Sequence, residues 1–292
     1  MAEACIAESF SEPPPDWLAM ARAESLYLDT PYLRYASRDH GRVFRAEARA
    51  TGSLAAGVTG WVAEGAGHPY LDPRALLKLP PAREPDLVLG NPGAFSGDML
   101  LDSALAGATT AIALQAALVD NARGADVMAL YADGCAADFW REATGRPPAL
   151  VSFDTVIEVP GSFDEWLACR PRQRRSTIRR ELRHFEEAGL TVGIAHAGDD
   201  TLPGLIAELA PILVSSEARF GNAMNVEAVA ATLERQRLAL GDAFAMFHVR
   251  DRAGRLVAGA TAFLDARTVH MRWGGVDRVH AGDHLEYFHV AC

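Results

Sequence analysis

The pattern of apolar and polar positions predicts two successive blocks of helices and strands. In the first block, a helix in two pieces precedes a β-hairpin, whose strands alternate apolar with polar or small residues around a Thr51-Gly52 turn. A short apolar strand, a long Ala- and Leu-rich helix, a strand, a helix with a Gly stop and an alternating strand follow. The predicted elements cover 16–35, 42–49, 53–64, 86–90, 98–124, 127–132, 137–145 and 150–159.

The second block repeats this order after a helical stretch. Ser162 and Glu165 form the sequence of a capping box and predict a short helix that ends at Pro171. A longer helix follows, with apolar residues at Ile178, Leu182 and Phe185. Next we predict a strand, two helices, a three-stranded meander and a helix start near Asp283. The predicted elements from the longer helix to the end of the meander cover 176–190, 190–197, 203–218, 225–240, 244–251, 256–265 and 268–273.

An internal repeat relates the two blocks. Residues 51–62 (TGSLAAGVTGWV) and 253–264 (AGRLVAGATAFL) are identical at five of twelve positions, at an offset of 202. Farther along, Gly97-Asp98-x-Leu100 aligns with Gly282-Asp283-x-Leu285, after a strand and a Gly-containing loop in both blocks. Repetition of this kind indicates two related α/β units.

Composition restricts the protein class. The chain has 292 residues, 49% of them hydrophobic, which is enough for one or two globular domains. A net charge of −10 disfavours nonspecific binding to nucleic acid or membranes by the whole molecule. The four cysteines lie far apart and form no CxxC pair, so we expect a reducing cytoplasm, no disulfide framework and no metal site. Residues 1–15 are acidic and Pro-rich, and we expect them to be a disordered leader.

The order of elements resembles the GNAT acyltransferase fold, in which a strand splays from its neighbour beside a loop and helix that hold pyrophosphate. ADFWREATG (137–145) resembles a GNAT helix that reads Ala-x-x-Phe-Tyr-x-x-x-Gly. Two such units joined by an Arg-rich helical segment resemble the Fem-type aminoacyl transferases and related peptidoglycan-biosynthesis proteins. The resemblance implies an α/β (α+β) chain of mixed, mostly antiparallel sheets flanked by helices. Its units would be 16–160 and 190–292, the second apparently incomplete at its C-terminus, with a connector at 161–189.

Two departures from the GNAT pattern fall in the first unit. Trp140 occupies the position of the Tyr that, in many GNAT enzymes, protonates the leaving thiolate. The loop that follows the strand at 86–90 reads NPGAFSG, without the usual Arg/Gln-x-x-Gly-x-Gly/Ala sequence. Either unit has a loop before a predicted helix start where backbone N–H groups suit phosphate, at 90–98 and at 278–284. The alternative at 90–98 is a turn that needs Gly for its geometry, with Asp98 capping the helix.

Seven arginines lie between residues 170 and 183, a concentration that is unexpected in an acidic chain. Arg175, Arg179 and Arg183 share one helix face, at i, i+4 and i+8, and guanidinium groups bind phosphate and carboxylate in bidentate fashion. We therefore predict a contact with a tRNA backbone, a nucleotide pyrophosphate or an anionic acceptor. The alternative is a solvated face paired with Glu181, Glu186 and Glu187.

Candidate catalytic residues come from the second unit. Acyl transfer to an amine needs a group that accepts the ammonium proton and donors for the oxyanion. We predict catalytic roles for side chains that can exchange protons, and donor binding for the loop after the meander and the Arg-rich helix. The catalytic candidates are His284, His270, Tyr287 and Glu217; the donor-binding candidates are Arg278, Gly282, Asp283, Arg175, Arg179 and Arg183.

The sequence thus predicts an acyltransferase that moves an acyl or aminoacyl group to an amine or hydroxyl by direct attack. The donor would be acyl-CoA or aminoacyl-tRNA as a cosubstrate, with no permanently bound cofactor. We expect a small-molecule or peptide acceptor, tRNA as a second partner, and no membrane-spanning segment. The alternatives are a noncatalytic binding protein on a degenerate GNAT scaffold, and an RNA-binding module that uses only residues 170–183.

Overall fold

The chain divides into two compact units, Met1–Asp154 and Thr155–Cys292. The structure is a computed structural model, and the residues that it describes are 2–7, 12–39, 42–63, 71–82, 84–94, 96–132, 134–151 and 156–281.

The first unit contains a six-stranded sheet in which β1, β2, β3, β4 and β6 are neighbours in that order, and β5 also pairs with β3. All pairings are antiparallel except that of β4 with β6. A long helix, α4, covers one face with Leu114 and Leu118 in the core. The strands are β1 (Ala2–Ala7), β2 (Val43–Ala50), β3 (Ser53–Ala63), β4 (Asp86–Leu89), β5 (Leu100–Leu101) and β6 (Val127–Ala129). The helices are α1 (Pro15–Glu24), α2 (Thr30–Asp39), α3 (Pro73–Leu77), α4 (Ala108–Ala122) and α5 (Gly134–Thr144).

The second unit contains a four-stranded antiparallel sheet in the order β10, β9, β8, β7. Helix α8 crosses one face, where Leu209 lies against Gly259. Phe185 of α7 packs on Val249 and Ala258, which lie on the opposite face because side chains alternate along a strand. The strands are β7 (Thr191–His196), β8 (Phe244–Arg250), β9 (Leu256–Leu264) and β10 (Val269–Val276). The helices are α6 (Phe163–Ala168), α7 (Arg172–Glu187), α8 (Leu202–Ala218), α9 (Val226–Leu240) and α10 (Arg278–Ala281).

The prediction of two α/β units with mostly antiparallel sheets is confirmed. The hairpins of the repeat are β2–β3 and β8–β9, and each contains one extra residue at the equivalent position. Ala55 is the extra residue of β3, because Ala48 pairs with Ala56 and Arg49 with Leu54. Val257, at the same offset of 202, is the extra residue of β9. The repeat therefore extends from sequence to strand register.

Two local predictions in the first unit are wrong. Residues Ala2–Ala7 are not part of a disordered leader, because they form β1 and pair with β2. The long helix begins at Ala108 rather than at Asp98. Leu100 is fully buried and pairs with Gly57 of β3. This tertiary contact holds Leu100 and Leu101 in an extended strand instead of a helix.

The segments around the unit boundary also differ from the prediction. The predicted strand at 150–159 is absent in its described residues, which have no regular structure there. The Arg-rich connector predicted at 161–189 is not a separate element. Its helix α7 packs through Phe185 into the core of the second unit. Among the described helices, none is both long enough and apolar enough to cross a bilayer.

Candidate functional site

A bulge in β10 marks the point where this strand departs from regular pairing with β9. Met271 pairs with Ala262 and Gly274 with Ala260, so two residues of β10 lie opposite Thr261. The fully buried Thr261 hydroxyl accepts a hydrogen bond from the Trp273 N–H at 3.3 Å and lies 3.5 Å from the Trp273 carbonyl oxygen, to which it donates. A bulge bends its strand and redirects nearby groups, and bulges are common beside active sites. This feature was not predicted from the sequence, although Thr59/Thr261 is an identical pair of the repeat.

The end of α8 lies against the part of β10 that follows the bulge. A Cβ atom on Gly275 would be 2.9 Å from the Ser216 Oγ and 3.2 Å from the Ile212 carbonyl oxygen, so only glycine allows this approach. The predicted catalytic residue Glu217 is next to Ser216 in the last turn of α8. Its Oε2 accepts a hydrogen bond from the Asn222 amide at 2.6 Å. This contact ties the loop between α8 and α9 to the end of α8.

The loop after β10 begins with a capped turn. Asp277 Oδ1 accepts hydrogen bonds from the N–H groups of Val279 at 3.0 Å and His280 at 3.3 Å, and Asp277 Oδ2 lies 2.6 Å from His280 Nδ1. Burial raises the pKa of Asp277, but the hydrogen bonds from His280 and the backbone outweigh it and leave the pKa below its ordinary value. The Asp277 carboxylate therefore already accepts hydrogen bonds from two N–H groups of the loop at 278–284, which was predicted to bind phosphate.

The other residues predicted around this loop are placed as follows. Arg278 is the first residue of α10 and has an exposed side chain. Asp277 caps this short helix, and the helix start predicted near Asp283 lies outside the described residues. The predicted residues Gly282, Asp283, His284 and Tyr287 lie outside the described residues.

His270 lies at the opposite end of β10, beside the turn that joins β9 to β10. Its Nε2 is 2.8 Å from Asp265 Oδ2, while Asp265 Oδ1 accepts hydrogen bonds from the N–H groups of Arg267 and Thr268. Burial raises the pKa of Asp265, but these hydrogen bonds outweigh it, and the net pKa is lowered. The geometry gives His270 a role in the turn and does not bring it to the end of α8.

The arginines of α7 divide into two groups. Arg175 Nη1 donates to the carbonyl oxygens of Arg170 at 2.8 Å and Ala168 at 3.3 Å, and so closes the C-terminal end of α6. A second group is exposed and, among the described residues, has no carboxylate within 4.0 Å; it consists of Arg172, Arg174, Arg179, Arg180 and Arg183. The alternative of a face paired with Glu181, Glu186 and Glu187 is therefore not what the structure contains. The predicted residues Arg179 and Arg183 are open to a ligand, and Arg175 is not.

The equivalent place in the first unit is filled by its own loop. The buried Thr59 hydroxyl lies 2.9 Å from the Gly90 carbonyl oxygen and 3.0 Å from Asn91 Oδ1. Its hydrogen atom can be donated to either of these two acceptors. A Cβ atom on Gly97 would be 2.5 Å from the Leu130 carbonyl oxygen, so the loop lies directly on the end of β6. Backbone N–H groups in this loop already donate within the unit, namely those of Gly90, Asn91, Ala94, Gly97 and Asp98.

Aromatic side chains complete this packing. The Tyr32 hydroxyl donates to the Pro92 carbonyl oxygen at 2.7 Å, and its ring meets those of Tyr27 and Tyr35 edge-on. Trp140 packs edge-to-face on Phe139 against the core of the unit. These contacts favour a structural turn in the described part of the loop at 90–98, but Asp98 does not cap a helix, because α4 begins at Ala108. Within the described part of the chain, no three His, Cys, Asp or Glu side chains form a metal-binding group.

Comparisons with known proteins agree with this architecture. Residues 172–287 match the family model described as an acetyltransferase (GNAT) domain. The chain is similar to the crystal structure of FemX, with a TM-score of 0.56 and 12% identity over 94% of this chain and 82% of that one. It also matches a tandem GNAT protein from the clavulanic acid biosynthesis pathway, with a TM-score of 0.47 and 12% identity over 100% of this chain and 83% of that one.

A search of curated proteins found no match. The matched stretch 172–287 contains α7, the whole β7–β10 sheet and the bulge opposite Thr261. The chain therefore shares the fold of FemX, and the greater part of its second unit matches the GNAT acetyltransferase domain.

Proposed function

We propose that this protein is an acyltransferase and that its second unit carries the chemistry. The observation that carries this proposal is the match of residues 172–287 to the acetyltransferase (GNAT) domain. The contrast between the units supports it. The second unit has a bulged strand with Glu217 at the neighbouring helix end, whereas the first unit has a loop that occupies the equivalent place.

The reaction is a direct transfer. The acceptor nitrogen attacks the carbonyl carbon of the activated acyl group, and the bond from that carbon to sulfur or oxygen breaks. The proton lost by the amine goes to a base, and the leaving thiolate or alkoxide takes up a proton. Holding both reactants in place supplies much of the rate enhancement.

Glu217 is the described residue that best fits the base, because one of its oxygens is fixed by Asn222 at the α8–β10 contact. His284 and Tyr287 remain candidates for the base and for the proton donor to the leaving group. His270 has the weakest support of the four, since Asp265 holds it in the turn between β9 and β10.

Acyl-CoA is the donor that we propose first. Arg278 follows β10 directly and offers an exposed guanidinium group to phosphate, and Gly282 and Asp283 follow it in sequence. Aminoacyl-tRNA is the second candidate donor, and the five exposed arginines of α7 are the observation that favours it. The acceptor in either case is an amine or a hydroxyl.

A thermal-shift titration tests the proposal with coenzyme A, acetyl-CoA and bulk aminoacylated tRNA, each at low and moderate salt. A ligand at about 100 times its Kd stabilises the folded protein by ~2.7 kcal/mol. We expect a shift with coenzyme A that depends little on salt and is reduced in Arg278→Ala, with the exposed Arg22→Ala as the control. A steeply salt-dependent shift with tRNA alone would select the second donor, because each neutralised phosphate adds to the salt slope. No shift with any of the three would favour a noncatalytic binding protein.

A further inference from the structure

The segment that leads into α6 carries an apolar edge and α7 carries a cationic face, and the two together are called the docking surface. We propose that this surface docks the protein peripherally on a membrane that contains anionic lipid headgroups. The inference goes beyond acyl transfer and does not depend on it.

The cationic face belongs to α7. Arg172, Arg179 and Arg183 project within about 40° of one another around a helix with 3.6 residues per turn. Ile178 and Phe185 hold the opposite side of the helix in the core. The three guanidinium groups are exposed and have no carboxylate within 4.0 Å among the described residues, so their charge is available to lipid phosphates. Residues 170–183 include seven arginines and a single acidic residue, Glu181.

The apolar edge precedes α6. Val156, Ile157 and Val159 are exposed by 83%, 61% and 74%. Phe163, in the first turn of α6, is exposed by 46%. Such large aliphatic side chains in water are unfavourable unless another apolar phase covers them. Isolated exposed apolar residues need no explanation, but four within eight positions form a patch.

A set of contacts joins Phe163 of the apolar edge to Arg175 of α7. The Phe163 and Trp166 rings stack at a centroid distance of 5.6 Å, and the Arg170 guanidinium group lies 4.6 Å from the Trp166 centroid. Arg175 then donates to the Arg170 carbonyl oxygen and ties this stack to α7. These contacts connect Phe163, the last residue of the apolar edge, to the first turn of α7.

This combination favours a lipid surface over RNA. Both ligands present phosphate to the arginines, but only a bilayer offers an apolar phase for valine and isoleucine side chains beside them. Acidic side chains border the surface at Glu158, Asp164 and Glu165 on the apolar side, and at Glu186 and Glu187 at the end of α7. They oppose anionic lipid locally, so we expect the arginine face to carry the attraction and the apolar edge to add to it.

Cosedimentation with vesicles tests the proposal on the full chain. The probes are vesicles of phosphatidylcholine alone and of phosphatidylcholine mixed with phosphatidylglycerol, over a salt series. We expect binding to the mixed vesicles only. The variant R172Q/R179Q/R183Q should bind on the order of a hundredfold more weakly, because each arginine near an anionic surface contributes about a factor of five. The variant V156S/V159S/F163S should also bind more weakly while keeping the salt dependence.

The matched control is R22Q/R34Q/R38Q, which removes three exposed arginines from the first unit and leaves α7 intact. We expect it to bind as the unmodified protein does. Equal binding to both vesicle types, or an equal loss in the control, would overturn the proposal. So would a loss of binding to bulk tRNA in R172Q/R179Q/R183Q with vesicle binding unchanged, which would assign the arginines to RNA. Coenzyme A binding, measured on the same variants, reports separately on the acyltransferase proposal.

Discussion

The buried threonines Thr59 and Thr261 occupy equivalent positions and do equivalent work at the scale of single residues. Each hydroxyl hydrogen-bonds the chain at the place where the next strand stops pairing regularly. Thr59 holds the loop that fills the equivalent place in the first unit, whereas Thr261 holds the bulge of β10, the strand that the end of α8 contacts in the second unit. One repeated residue therefore supports a structural turn in one unit and a candidate active site in the other.

Replacing either threonine with valine keeps the shape of the side chain and removes the hydroxyl. We expect Thr59→Val and Thr261→Val each to lower the free energy of unfolding by about 1–3 kcal/mol, because buried backbone and amide groups lose a partner. Only Thr261→Val should also weaken coenzyme A binding or turnover, since only its bulge borders the proposed site. Urea denaturation and coenzyme A titration of both variants make the comparison. Equal effects on coenzyme A binding would contradict the assignment to the second unit.

His248 is a second residue whose surroundings have a measurable consequence. Its ring covers Gly193 of the neighbouring strand, where a Cβ atom would lie 2.4 Å from Nε2, and its buried Nδ1 has no hydrogen-bond partner among the described residues. Burial lowers the pKa of His248, and Arg250 lowers it further, while Glu208 opposes them. The neutral ring is therefore the form that the fold accommodates.

The free energy of unfolding should consequently decrease at acidic pH. Because the folded-state pKa lies below the unfolded value of 6.5, the unfolded chain binds more protons between the two values. His248 makes its full contribution to the free energy of unfolding above about pH 6.5. This contribution is lost as the pH falls from 6.5 through the lower folded-state pKa. We expect His248→Phe to flatten the dependence of urea midpoint on pH below 6.5, and the exposed His196→Phe to leave it unchanged. An unaltered slope in His248→Phe would show that other groups cause the acid sensitivity.

At the scale of elements, close helix-to-sheet contacts at repeated glycines position the helices. A Cβ atom on Gly57 would lie 2.4 Å from Trp17 of α1, and one on Gly259 would lie 2.9 Å from the Leu209 Cδ1 of α8. Trp17 is fully buried and its Nε1 donates to the Leu28 carbonyl oxygen, so it cannot move aside. The end of the Leu209 side chain is more adaptable.

We therefore expect Gly57→Ala to destabilise the protein by about 1–3 kcal/mol and Gly259→Ala by less, because overpacking costs energy in proportion to what must shift. Gly198→Ala is the control, since nothing lies within 4 Å of its added methyl group, and it should change stability by no more than ~0.5 kcal/mol. Calorimetric unfolding of the three variants measures the difference. A larger loss in Gly259→Ala than in Gly57→Ala would mean that α8 is held more rigidly than α1.

The predicted and observed helices and strands agree where local sequence signals mark an element and differ where long-range pairing decides it. Helices α8 and α9 were predicted to within one residue at each end, because Asn225 and the apolar period mark them locally. The stretch 98–107 was misassigned to a helix, since its Leu100 pairs with a strand more than forty residues away. Strand β1 was missed for the same reason, as it is an edge strand whose only partner is β2. Local signals find capped helices, and long-range pairing decides the rest.

The candidate site was predictable only in part. Glu217 was predicted as a side chain that can exchange protons, and Arg179 and Arg183 were predicted because their charge stands out in an acidic chain. The bulge opposite Thr261 and the contact of Ser216 with Gly275 depend on register and close approach between elements. The bulge and this contact cannot be predicted from the residue types alone. The engagement of Arg175 with α6 was hidden likewise, because its partners are backbone carbonyl groups.

At the scale of the whole molecule, the duplicated fold raises the question of how many donors one chain binds. Two equivalent units would bind two, if fold alone determined binding. In the first unit, however, five backbone N–H groups of the loop after β4 already donate within that unit, and Gly97 lies directly on β6. A donor there would have to displace this loop and the Tyr32 hydrogen bond to Pro92. On the proposed function, the first unit therefore has a structural role and the second unit carries the chemistry.

We expect isothermal titration with coenzyme A to give one site per chain. Gly97→Ala, which forces the first-unit loop away from Leu130, should lower the melting temperature and leave the Kd for coenzyme A unchanged. Arg278→Ala should raise that Kd with little effect on melting, because its side chain is exposed at the end of β10. A stoichiometry of two, or a changed Kd in Gly97→Ala alone, would place a donor in the first unit instead. The two variants thus distinguish the units by opposite effects on stability and binding.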